Sequence, residues 1–74
     1  MKTIKLGIVI YSDHPETVWN AVRLANFSIN KGDKVSIFLM AQGVEAESLS
    51  TETYNITELL EDFIKKNGII YACG

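Results

Sequence analysis

Cys73 is the only cysteine in a chain of 74 residues, and it is the side chain best suited to covalent chemistry. A thiol reacts as its thiolate, both as a nucleophile and as a metal ligand. Cys73 follows the apolar run Ile69-Ile70-Tyr71-Ala72 and precedes Gly74, so it stands at the C-terminal tip of a predicted strand. In an open parallel sheet, that edge is where ligands bind. The same edge collects Ser12, Asp13 and His14 after the first predicted strand, and Gln42 and Gly43 after the second. His14 changes charge near neutral pH and is chemically able to serve a thiol as base or donor. Each residue also has a plainer reading. A lone cysteine is commonly a small buried hydrophobe, and Asp13 and His14 beside Pro15 sit where helix caps belong.

Other chemistries lack their signatures. One cysteine forms no internal disulfide, and one histidine with one cysteine cannot close a zinc site, so no metal is expected. Glu45, Glu47 and Glu52 have no metal-ligand spacing and read as a solvated loop. There is no G-x-G-x-x-G and no phosphate loop, so a flavodoxin-like nucleotide or flavin binder is the weakest reading and no cofactor is expected. Trp19 and Tyr54 are read as packing residues, or as interface residues if exposed.

The elements that must position these residues follow from periodicity. Ile4 to Tyr11 is an almost unbroken apolar run, the pattern of a parallel strand covered on both faces. Ser12-Asp13-His14-Pro15-Glu16 starts a helix, with Asp13 or His14 as cap and Pro15 in the first turn. Val18, Val22, Ala25 and Ile29 form its apolar stripe, widened by Ala21 and Leu24. Gly32 is the expected left-handed C-terminal cap. Val35 to Ala41 is the second strand. Gln42 to Thr53 is a loop with a short helical turn around Val44 to Leu49. Asn55-Ile56-Thr57-Glu58 has the pattern of a capping box. Ile56, Leu59, Leu60, Phe63 and Ile64 form the stripe of a second helix, with Gly68 as its cap, and Ile69 to Ala72 is the third strand. This order predicts an α/β fold with a parallel sheet and right-handed crossovers.

Composition narrows the partners. The chain is 47% hydrophobic and 22% charged, with a net charge of −2, as in an ordinary soluble domain. It has no lysine/arginine run, which argues against nucleic acid and anionic membrane as partners. Its apolar stretches are too short to span a bilayer. The N-terminal residues read as a strand without a signal-peptide cleavage site, and a free thiol agrees with a reducing, cytoplasmic location. A core built from so few residues usually needs help, and self-association is the expected source.

The whole pattern resembles the DsrE/DsrF-like family, which includes YchN-like and TusD-like proteins. The matching segments are Gly7-Ile8-Val9-Ile10-Tyr11-Ser12, the helix through Trp19 to Ala25, Gly32 to Leu39, Gln42-Gly43-Val44, and Asn67-Gly68-Ile69-Ile70-Tyr71-Ala72-Cys73-Gly74. The most specific part is a glycine, a short strand and a cysteine at the strand tip. The resemblance implies a three-layer α/β/α fold with a five-stranded parallel sheet and assembly into trimers or hexamers. It also implies that Cys73 holds sulfane sulfur as a persulfide, passed between donor and acceptor proteins. No residue is carried over as a base. Family members continue past this cysteine with a helix and further strands, so residues 1–74 are expected to form the N-terminal part of one such domain. The leading expectation is therefore a sulfur carrier or sulfurtransferase-like protein. The alternative is a non-catalytic oligomeric binding module of the same fold with a structural cysteine.

Overall fold

The computed structural model describes residues 3–40 and 49–73. Three strands and two helices alternate: β1 (Lys5–Ile10), α1 (Pro15–Asn30), β2 (Lys34–Met40), α2 (Ile56–Lys65) and β3 (Ile69–Cys73). The sheet is wholly parallel in the order β1-β2-β3. Ile8 pairs in register with Ile37, and Ile37 with Ile70. The predicted α/β class and all five elements are present, with boundaries shifted by a few residues at most.

Both helices lie on the same face of the sheet. Two crossovers of one hand that step in one direction put their helices on one side. The core fills the space between: Val18, Val22 and Ala25 of α1, Ile56, Leu60 and Phe63 of α2, and Ile10, Val35, Ile37 and Leu39 of the sheet are all buried. The described residues form two layers, and β1, expected to be covered on both faces, is covered by them on one face only. The other face carries Val9, Phe38, Met40, Ile69 and Tyr71, from 37% exposed at Phe38 to 54% at Val9. Leu24, expected to widen the stripe of α1, and Ile64, expected within the stripe of α2, are instead exposed. The sheet contacts only a narrow arc of each helix, and these two positions fall outside it.

Both helices end in Schellman turns, with different residues in the left-handed position. In α1 it is Gly32 (φ 96°), as predicted, and the Gly32 and Asp33 amides donate to the Ile29 and Ser28 carbonyls at 3.0 and 3.2 Å. In α2 it is Asn67 (φ 72°), not Gly68, and the Asn67 and Gly68 amides donate to the Ile64 and Phe63 carbonyls, both at 3.0 Å. Asparagine tolerates this conformation because its side chain is short and polar. Gly68 is needed for space instead: a Cβ there would overlap the Phe63 ring.

At the other end of α2, Asn55 caps the helix. Its Oδ1 accepts from the Glu58 amide, and its Nδ2 donates to the Glu58 carboxylate, both at 3.1 Å. The reciprocal bonds predicted from the sequence are therefore made, the second of them between side chains. Trp19 meets Tyr54 edge to face at 5.4 Å, and the Arg23 guanidinium lies 4.6 Å from the Trp19 ring. Both aromatics thus serve packing.

Asp33 ties the start of the sheet to the end of α1. Its buried carboxylate accepts from the Ser28 hydroxyl at 2.7 Å and from the Ile4 amide at 3.0 Å. The Ser28 hydrogen bond first, and the Ile4 amide second, hold its carboxyl below the ordinary value. A carboxyl lowered in the folded state stabilises fully above its unfolded pKa, about 3.9 for aspartate, and loses that contribution as pH falls through the lower folded value. Urea midpoints of the parent should therefore drop on acidification below about pH 4. Asp33→Asn should be less stable at neutral pH and show a shallower acid dependence. Parallel acid slopes for the two proteins would rule out this role for Asp33.

Candidate functional site

The parallel sheet brings its three C-terminal strand ends to one edge. β1 leads into Tyr11 and Ser12, β2 ends at Met40, and β3 ends at Cys73, in register with Met40. The structure therefore places Cys73 on the edge that the sequence reading assigned to it.

The loop after β1 is taken up with starting α1. The Ser12 hydroxyl accepts from the His14 amide at 3.0 Å, which closes a tight turn. His14 occupies the N-cap position with extended backbone, but its side chain makes no capping bond. Pro15 follows in the first turn, where its missing amide costs nothing. Asp13 and His14 are exposed and Ser12 is half-buried. Gln42 and Gly43, and all of the expected turn around Val44 to Leu49 except Leu49, lie outside the described residues.

Strand order decides which of these residues come together. β1 and β3 flank β2 on opposite sides. Two inter-strand spacings of about 4.8 Å put the backbones of β1 and β3 roughly 10 Å apart. The strand that leads to His14 and the strand that ends at Cys73 are thus not neighbours, and β2 runs between them. Among the described residues, no three His, Cys, Asp or Glu side chains group as a metal site, and no helix is long and apolar enough to cross a membrane.

The chain matches no family model, no curated protein and no solved structure.

A second feature lies at the opposite edge and went unnoticed in the sequence. A cleft of about 570 Å³ opens where the strands begin, lined by Lys5, Gly7, Lys34, Ser36, Phe38, Lys66 and Ile69 among others. Lys5 pairs in register with Lys34, so two cations stand side by side on the open face. Like charges directly opposite are unfavourable in a sheet. The sequence signal was available: each lysine sits two residues before a small residue, Gly7 or Ser36, at the same face parity as the apolar Val9 and Phe38. Reading it requires the register, which a single strand does not reveal.

Proposed function

We propose that this protein is a sulfur carrier of the DsrE/DsrF type, with Cys73 holding sulfane sulfur as a persulfide. The observation that supports this most is the position of the chain's only cysteine, the last residue of β3 on the C-terminal edge of an all-parallel sheet. The resemblance of the Asn67 to Gly74 segment to that family adds to it. In the proposed step the Cys73 thiolate attacks the outer sulfur of a donor persulfide, R–S–SH. A new sulfur–sulfur bond forms on Cys73, the donor's sulfur–sulfur bond breaks, and the donor leaves as the thiolate RS⁻. No external oxidant is needed, because the transferred sulfur carries its oxidation state with it. No residue is assigned as base, since His14 follows the opposite edge strand.

Intact-mass spectrometry before and after incubation with a persulfide donor tests the reading. The expected result is a gain of one sulfur per chain, removed by a reducing thiol and absent in Cys73→Ala. Cys73→Ala should otherwise keep the fold, with an unchanged circular dichroism spectrum. Loading that persists in the alanine variant, or no loading of the parent, sinks the carrier assignment.

A second reading is favoured by the open apolar face of the sheet: a non-catalytic module in the cytoplasm that binds through this face or assembles into trimers or hexamers, with a structural cysteine. The two readings differ in thiol behaviour. A carrier thiol reacts with an aromatic disulfide reagent in the folded protein, while a structural one reacts only after denaturation.

A further inference from the structure

We propose that Asn67 and Gly68 form a self-modifying deamidation site, held shut by the turn that ends α2 and released whenever that turn opens. This goes beyond the carrier reading and rests neither on Cys73 nor on what covers the sheet.

Two packing demands meet at this dipeptide. The Schellman turn needs a left-handed residue after Lys66, and Asn67 supplies it at φ 72°. Few residues besides glycine tolerate that backbone, and asparagine is one of them. The next residue must lack a Cβ, because one there would overlap the Phe63 ring. Together these demands produce the pair in which a side-chain amide meets the least hindered backbone nitrogen, since no side chain at Gly68 shields that atom. Asn20, Asn26, Asn30 and Asn55 precede Ala21, Phe27, Lys31 and Ile56, whose side chains crowd the same approach. Gln42 also precedes a glycine, but its longer side chain closes a six-membered ring, which forms far more slowly. The turn at the end of α1 uses Gly32 in the left-handed position, which has no side chain to react.

The reaction needs only hydroxide and water. The Gly68 backbone nitrogen gives its proton to hydroxide and attacks the side-chain carbonyl carbon of Asn67. The new nitrogen–carbon bond closes a five-membered succinimide. The carboxamide carbon–nitrogen bond breaks, and its nitrogen takes a proton from water and leaves as ammonia, which regenerates the hydroxide. A second water then opens the ring. Attack at the side-chain carbonyl leaves aspartate. Attack at the main-chain carbonyl leaves isoaspartate, with the backbone rerouted through Cβ. Nothing is oxidised or reduced.

The fold controls the proton that must leave first. The Gly68 amide donates it to the Phe63 carbonyl at 3.0 Å, and the Asn67 amide beside it donates to the Ile64 carbonyl at 3.0 Å. A nitrogen whose proton is engaged cannot lose it to hydroxide until the bond opens. Helix ends open locally at a smaller free energy than the whole fold, so opening of this turn sets the rate. Hydrogen exchange at Gly68 removes the same proton by the same base, and the two processes share one opening equilibrium. The damage does not reverse. Isoaspartate inserts a methylene into the backbone that the Gly68–Phe63 bond must span, between α2 and β3. Aspartate keeps the backbone but puts a negative charge at the C-terminal end of α2, where the helix dipole disfavours it.

The test ages the protein in mildly alkaline buffer, folded and in guanidinium chloride, and follows the amide-to-acid mass change by peptide mapping. In denaturant, conversion should occur first at Asn67 and give both aspartate and isoaspartate. In the folded protein it should be at least about tenfold slower. The ratio of the two rates should match the protection of the Gly68 amide against hydrogen exchange to within about threefold. Asn67→Gly keeps the left-handed turn, and should show an unchanged circular dichroism spectrum and no conversion at this position. The proposal is overturned by equal rates in the folded and denatured protein, by conversion that starts at another asparagine, or by a rate ratio outside that match to the Gly68 protection.

Discussion

Phe63→Ala should cost about 3–5 kcal/mol, the range for removing a fully buried aromatic ring. Phe63 is completely buried and sits where α2, the Gly68 backbone and the core meet. Domains of this size draw on a total stability of only about 5–15 kcal/mol, and short chains lie near the lower end. The variant should therefore be largely unfolded at 37 °C and show a sharply lowered urea midpoint at 10 °C. Gly68→Ala is the companion. Its new methyl competes with the ring for the same space, at a cost of about 1–3 kcal/mol for overpacking. In the double variant Phe63→Leu/Gly68→Ala the smaller side chain makes room for the methyl, so the combined loss should be less than the sum of the two singles. Strict additivity in that cycle would show that the two residues are not competing.

Asn26→Asp should be the other severe change, and it should depend on pH. Asn26 is only 7% exposed, in the seam between the helices, and its Nδ2 donates to the Leu59 carbonyl at 3.1 Å. Its Oδ1 is buried and has no hydrogen-bond partner among the described residues. Aspartate replaces the donor with an oxygen and turns two lone-pair surfaces on Leu59. An ionised carboxylate there is an uncompensated buried charge, for which losses of about 3–5 kcal/mol are typical. Burial disfavours the charged form, so the new carboxyl has a folded pKa above its unfolded value of about 3.9. Protonated, it can donate to Leu59 as the amide did. The penalty is therefore small below the unfolded pKa, grows as pH rises from about 4 toward the folded value, and is constant above it. Urea denaturation from pH 3.5 to 8 should show the variant approaching the parent in acid, on top of the parent's own loss through Asp33. A penalty that stays the same across this range would mean that water reaches the side chain. Asn26→Leu removes both the bond and the orphaned oxygen, and should stay within about 1 kcal/mol of the parent, because a net hydrogen bond and a buried unpaired acceptor offset each other.

The elements of the chain were legible because local rules act over a few residues. The stripe of Val18, Val22 and Ala25 repeats at helical spacing, and those three side chains are buried. Pro15, Gly32 and Asn55 mark helix ends through backbone preferences that hold wherever the segment packs. The order of strands and helices then implied a parallel sheet, since consecutive strands joined by helices can pair in few other ways. The placement of Cys73 at a strand tip follows from the same pattern.

Tertiary structure decided what those elements face. Val9 and Ile10 are both apolar neighbours in β1, yet Val9 is exposed and Ile10 is buried. A run apolar at every position marks both faces as suited to burial, but it does not say that both are covered. The direction of the two crossovers placed both helices on one side, and this follows from strand order rather than from any single residue. The same order put β2 between β1, which leads to His14, and β3, which ends at Cys73, where the sequence could only assign both to a common edge. Register brought Lys5 beside Lys34 and stacked Phe38 on Tyr71. Gly68 looked like a helix cap, but Asn67 holds the left-handed turn and Gly68 makes room for a ring five residues back. The sequence by itself determined which segments are strands and helices and, to within a few residues, where each lies, because hydrogen bonding along the backbone and side-chain periodicity are local. Which face is open, which charges adjoin and which glycine is essential were settled only by packing, because they depend on contacts between residues far apart in the chain.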